Sequence, residues 1–231
     1  LVDKSENSLT YTLHSPDKDM GFPGNFDLTV VYTVTEDNEL VIYYVGKCDQ
    51  KTYACITNHA YFNLNGKNSS VLNHSVQIDS DYYLPLDKDS IPTGEKRKVD
   101  GGAFDFRQEK TLAKDFRRDP QMEAALGYDH PFLIKGDLNK AFIKVTSDDK
   151  KLSMEVYTDY PAFQMYTGNY VHQGDNNIIA RDDGLVYQDQ CAVCIEPEFY
   201  PDCPHLEQFK DVNPMVTPEH PLEKTIRYKF Y

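Results

Sequence analysis

A chain of 231 residues, 40% of them hydrophobic, can bury one substantial core, while 37 acidic against 24 basic side chains leave a net charge of −13. Phosphate backbones and anionic membrane surfaces would be repelled, so nucleic acid and membrane are excluded as partners. No run of 18 apolar residues exists and no basic segment followed by an apolar run opens the chain, so neither a membrane span nor a secretory signal is read.

The opening residues, 1-LVDKSENSLTYTL-13, already read as the inside of a strand pattern and begin at Leu1, so a preceding segment is expected. Next come 26-FDLTVVYTV-34 and 39-ELVIYYVGK-47, rich in β-branched and aromatic residues and separated by Glu36-Asp37-Asn38, which predicts an antiparallel hairpin with a polar turn. A strand is expected over 54-ACITNHAYF-62, with Cys55, Thr57, His59 and Tyr61 on one face and Ala54, Ile56, Asn58, Ala60 and Phe62 on the other. The polar stretches 86–102 and 172–184 are too long for plain connectors and read as functional or mobile loops. Pro120 interrupts 110-KTLAKDFRRDPQMEAALG-127, so that segment predicts at most a short turn of helix. A second hairpin follows, 141-AFIKVTS-147 with 151-KLSMEVYTD-159, and the strands 191-CAVCIEP-197 and 224-KTIRYKFY-231 complete the pattern. These elements predict an all-β fold, a single domain over 1–231 built as a large antiparallel β-sandwich with few short helices.

The five cysteines, Cys48, Cys55, Cys191, Cys194 and Cys203, are an odd number in a chain too large to need disulfide staples, and read as reduced thiols in a cytoplasmic protein. Cys191-Ala-Val-Cys194 lacks a second pair at zinc-ligand spacing, and in a strand its side chains would take opposite faces, so no metal is expected there. The N-x-S/T matches at Asn68 and Asn73 would carry no glycan in that compartment.

Four positions could carry chemistry. His59 interrupts an apolar strand; its bland reading is an imidazole satisfied by neighbouring backbone. Glu196 shares a strand face with Ala192 and Cys194 and is held extended by Pro197; a carboxylate placed so must be paired with a basic residue or serve a purpose. Asp129, beside His130 in 127-GYDHPF-132, fits an Asx-turn or a cleft-lining site equally well. Gln164, among the aromatics of 161-PAFQMYTGNY-170, is either a structural latch or a reader of ligand hydroxyls.

Taken together, 21-GFPGNFDLTVVYTV-34, 58-NHAYFNL-64, 104-FDFR-107, 127-GYDH-130, 164-QMYTGN-169 and 193-VCIEPEFYPD-202 stand in the order found in the aldose 1-epimerases, or galactose mutarotases, and the chain resembles that family from about Ser15 to its end. The resemblance implies the galactose mutarotase-like supersandwich, a sugar such as galactose or glucose as substrate, and neither cofactor nor metal. It places the general acid on His59, the general base on Glu196, and sugar-hydroxyl binding on Asp129 and Gln164, with Tyr61 lining the site. It also implies a gap between the His59 ring and the Glu196 carboxylate wide enough for a pyranose. Family members carry an N-terminal portion with an Arg and a further His that nothing in Leu1 to His14 supplies, so about a third of the family's length is expected to be absent. A homodimer, or association with that segment, is the corresponding partner expectation. The competing readings are a non-catalytic carbohydrate-binding β-sandwich, for which 17 Tyr and 12 Phe would supply platforms although Trp is absent, and a purely structural interaction domain.

Overall fold

The computed structural model describes residues 1–66, 69–172 and 184–231. The glycosylation match at Asn68 and the stretch 173–183 of the 172–184 loop lie outside the described residues. In chain order the strands are β1 Asp3–Lys4, β2 Ser8–Ser15, β3 Phe26–Val34, β4 Glu39–Cys48, β5 Thr52–Tyr53, β6 Tyr61–Phe62, β7 Ser75–Ile78, β8 Tyr82–Tyr83 and β9 Arg97–Lys98. They continue with β10 Lys110–Thr111, β11 Asp129–Leu133, β12 Ile143–Thr146, β13 Ser153–Thr158, β14 Ala162–Tyr166, β15 Val193–Glu198, β16 Met215–Val216 and β17 Leu222–Phe230.

Among the described residues all of the pairings are antiparallel. Nine strands form one sheet in the order β1-β2-β3-β4-β17-β13-β12-β7-β10, six form a second in the order β6-β15-β14-β11-β8-β9, and β16 with β5 makes a small third. Both expected hairpins form: β3 and β4 pair with Val34 opposite Leu40, and β12 and β13 pair with Thr146 opposite Ser153. Asn38 and Lys150 adopt positive φ of 58° and 62° in the two turns, conformations that polar turn residues supply at low cost. The helical segment 110–127 shrinks to a 3-10 turn at Leu112–Asp115 and one short helix, Gln121–Ala125, whose N-cap is Pro120. Among the described residues no helix is long and apolar enough to cross a membrane.

The two large sheets share one core. Ile42, Val76, Val145, Val156, Ile226 and Tyr228 face it from the nine-stranded sheet, and Phe132, Phe163, Met165, Val193 and Ile195 from the six-stranded one. Phe163 is stacked on Phe132 at 5.4 Å and packed on Phe142 at 4.6 Å, burial that contributes about 2–3 kcal/mol for such a side chain. The Tyr228 hydroxyl crosses between the sheets and donates to the Ile195 carbonyl at 3.3 Å.

Two details depart from expectation. The run 54–60 is not a strand; only Tyr61 and Phe62 join a ladder. The alternation of faces survives in part: Cys55, His59 and Tyr61 are exposed and Ala54 is buried, but Thr57 is half-buried with its hydroxyl covered, and the backbone groups are met otherwise. The Ala54 amide donates to the Pro214 carbonyl, Asn58 Oδ1 accepts from the Ala60 amide, and the Tyr160 hydroxyl donates to the Ile56 carbonyl. The stretch 86–102, expected as a loop, contributes the edge strand β9, whose Arg97 and Lys98 pair with Tyr83 and Tyr82.

Candidate active site

Period-two alternation on three neighbouring strands builds the site. In β11, β14 and β15 the even-handed core face takes Phe132, Phe163, Met165, Val193 and Ile195, leaving Asp129, Gln164, Tyr166, Cys194 and Glu196 on the opposite, outward face of the six-stranded sheet. Register sets who is beside whom. Gln164 stands across from Glu196, Tyr166 lies between Asp129 and Cys194, and Cys194 pairs with Tyr61. His59, two residues before Tyr61, therefore falls alongside Glu196.

The expected acid and base meet directly. His59 Nε2 lies 3.5 Å from Glu196 Oε1, with the imidazole half exposed and the carboxylate nearly covered. This corrects the expectation of a ring-wide gap: Tyr61 pairing with Cys194 brings the residue two before it alongside Glu196, and at 3.5 Å the two groups are too close for a pyranose to pass between them. Among the described residues no lysine or arginine pairs with Glu196, so the plain reading of a buried structural ion pair lacks its basic partner. The His59 ring lies on the Tyr61 ring at 5.0 Å and 23°, and both meet Tyr166 edge-on at 6.1 and 6.3 Å. These aromatics fix the imidazole while leaving one side open.

Asp129 and Gln164 are joined: Gln164 Nε2 donates to Asp129 Oδ1 at 2.7 Å, and Gln164 Oε1 is buried with no hydrogen-bond partner. A buried amide oxygen of this kind is costly unless a donor arrives, and a sugar hydroxyl would be one. Asp129 itself opens β11 and is not held in a turn. Its presentation depends on the preceding Gly127, where a Cβ would come within 2.3 Å of Asn169 Oδ1. The Asn169 amide in turn donates to the carbonyls of Ala125 and Tyr128, at 2.8 and 2.9 Å, and the Thr167 hydroxyl donates to Asn169 Oδ1 at 2.7 Å.

Burial makes ionisation of the carboxyls on this face costly. Desolvation, with the Asp129 charge second, pushes the Glu196 carboxyl up to about 7. Glu198, next on the same face of β15, is lifted to about 8 by burial and then by Glu196 and Asp129. Burial also raises Asp129, against the opposing pull of its Gln164 hydrogen bond and of His59.

Several residues of the quoted motifs serve the scaffold. Asn63 Nδ2 donates to the carbonyls of Ser69 and Cys191 at 2.7 and 2.8 Å, clamping the end of β6 to the start of β15. The Leu64 amide donates to His74 Nε2, whose Nδ1 is held by Asp148 at 2.8 Å. Arg107 reaches Asp81, Asp100 and Asp105 at 2.8–3.0 Å and touches nothing at the site. Tyr166 is the site residue the sequence reading leaves out; it lies two positions after Gln164 on β14, a strand not predicted from the sequence.

The sequence model of a family described as aldose 1-epimerase matches residues 1–229. The chain is 37% identical over its whole length to an Escherichia coli aldose 1-epimerase, of which it covers 66%, and 35% identical over 97% of its length to the Homo sapiens galactose mutarotase, of which it covers 63%. It thus spans slightly less than two thirds of these relatives. Among solved structures, an aldose epimerase homologue from C. elegans superposes on the entire chain with a TM-score of 0.86 at 26% identity, the match covering 67% of that structure.

Proposed function

The chain belongs to the aldose 1-epimerase family, and on that premise we propose that it interconverts the α and β anomers of aldohexoses such as galactose and glucose by acid/base opening and closure of the ring. The observation that carries the proposal is the direct approach of His59 to Glu196, 3.5 Å apart on an open sheet face with Asp129 and Gln164 beside them.

The anomeric oxygen and the ring oxygen of an aldose are bonded to the same carbon, C1. An acid and a base that serve both must therefore be neighbours, which is the arrangement the pair supplies. Glu196 as carboxylate takes the proton from the anomeric hydroxyl while protonated His59 gives one to the ring oxygen; the C1–O5 bond breaks and an open-chain aldehyde forms. Rotation about C1–C2 presents the other face of the carbonyl. The ring hydroxyl then attacks as His59 recovers its proton and Glu196 returns its own. The sugar lies over the exposed side of the pair, with Asp129 and Gln164 accepting and donating hydrogen bonds to its hydroxyls and Tyr61 forming an apolar wall. A base whose carboxyl sits near 7 is matched to neutral operation, because general-base efficiency is greatest when the pKa is close to the working pH.

The test is polarimetry of freshly dissolved α-galactose and α-glucose. The protein should hasten the approach to equilibrium rotation, and His59→Ala and Glu196→Gln should each lose roughly 10²-fold or more. Near-normal turnover by either variant in its folded state would remove the assignment, and sugar binding without turnover in the unaltered protein would favour the non-catalytic carbohydrate-binding reading.

A further inference from the structure

We propose that His59, Cys194 and Glu196 form a binding site for a thiophilic divalent cation of the zinc type, and that such an ion arrests sugar turnover by occupying the acid/base pair. The inhibitory half rests on the acid/base reading above; the binding half does not.

The geometry comes from two adjacent segments. β15 sends Cys194 and Glu196 out of one face at a spacing of two, and β6 brings Tyr61 opposite Cys194 so that His59 flanks Glu196. One nitrogen, one sulfur and one carboxylate oxygen, one from each residue, lie within 4.8 Å of one another. Tetrahedral zinc with bonds of about 2.0–2.3 Å sets its ligand atoms about 3.3–3.8 Å apart. The His59–Glu196 edge, at 3.5 Å, already meets that spacing. The two edges to Cys194 Sγ are no longer than 4.8 Å, so at most about 1–1.5 Å of closure is needed, and His59, a half-exposed side chain preceding a two-residue strand, is the ligand freest to move. Three protein ligands would leave the fourth position to water.

The cysteine pattern pointed elsewhere. Cys191 and Cys194 have no partner pair in the sequence, and Cys191 is not part of the cluster; folding supplies the missing ligands from a residue 135 positions upstream, His59, and from Glu196. Charge favours the same outcome. Asp129, Glu196 and Glu198 share the outward face of the six-stranded sheet, where among the described residues no lysine or arginine pairs with Glu196, and a dication would supply the missing positive charge. Magnesium and calcium prefer shells of oxygen, whereas a thiolate with an imidazole selects zinc or cadmium. Binding breaks the Cys194 S–H bond as the sulfur–metal bond forms and releases that proton to solvent, with no change of oxidation state.

Cadmium is the probe, because its thiolate complex has an ultraviolet charge-transfer band. Titration of metal-free protein should give that band at one ion per chain, abolished in Cys194→Ala, retained in Cys191→Ala, and requiring at least about tenfold more cadmium in His59→Ala. His59 is exposed, so its variant carries the test if Cys194→Ala does not fold. Zinc should inhibit turnover and magnesium should not. Cys194→Ala, compared with its own metal-free rate, should need at least about tenfold more zinc for half inhibition. An equal band with and without the Cys194 thiol, or one indifferent to His59→Ala, overturns the site. A normal band in a protein that never turns over sugar would leave the metal site standing and sink the epimerase reading, while turnover without a band would do the reverse.

Discussion

Replacing Glu196 with glutamine should make the protein more stable while abolishing its chemistry. Burial and the Asp129 charge lift the carboxyl from 4.5 to about 7, whereas in the unfolded chain it stays near about 4.3. Below about pH 4.5 both states hold the proton, and the site costs nothing. Between about pH 4.5 and 7 the unfolded chain releases its proton first, so fewer protons are bound unfolded than folded and stability falls as pH rises. Above about pH 7 the penalty is constant; a lift from 4.5 to about 7 corresponds to about 3 kcal/mol at about 1.36 kcal/mol for each pH unit. Glutamine keeps the shape without the charge. Urea unfolding of the two proteins should therefore agree near about pH 4.5 and diverge to about 3 kcal/mol in favour of Glu196→Gln near about pH 8, with equal m-values. A variant less stable at the higher pH, or an advantage of equal size at both, would refute the claim that a strained carboxylate is kept here for its chemistry.

The rate of anomer exchange should fall on the acid side with a midpoint near pH 7, where Glu196 loses its ionised form, and Asp129→Asn should move that limb to lower pH while raising KM about 10- to 100-fold, the worth of a hydrogen bond to a charged group; a limb unmoved by Asp129→Asn in pH-dependent polarimetry would contradict the coupling. Gly127→Ala should cost about 1–3 kcal/mol, because its Cβ would press on Asn169 and on the Phe116 ring, and an unchanged thermal midpoint would show that the turn before Asp129 can yield. Arg107→Ala should lower the thermal midpoint, more so at low salt as Asp81, Asp100 and Asp105 lose their shared cation, without altering turnover per folded molecule; a kinetic defect would mean that Arg107 reaches the site after all.

The strands were legible where alternation and turn chemistry coincide, as in Phe26–Val34 followed by Glu36-Asp37-Asn38 and Glu39–Cys48. The run 54–60 shows the limit of that signal: its faces alternate as a strand's do, but whether a neighbouring strand is present depends on Pro214 and Tyr160, which are remote in sequence. The same applies to the spacing of His59 and Glu196. Each residue could be singled out from its own surroundings, while their separation follows from Tyr61 pairing with Cys194, a register that no local pattern encodes. Tyr166 could have been found by counting two from Gln164. The burial that chiefly lifts Glu196 was legible from the apolar run before it, but the second contribution, the charge of Asp129, 67 positions earlier, was not.

The division of labour between the two surfaces of the six-stranded sheet matters for redesign. Phe163 and Met165 face inward while Gln164 and Tyr166 face outward, so each strand carries two independently editable texts. Altering the outward letters changes the surface proposed to hold the sugar, and the inward letters keep the scaffold upright throughout. The proposed site can therefore be explored residue by residue on a template that does not have to be rebuilt each time.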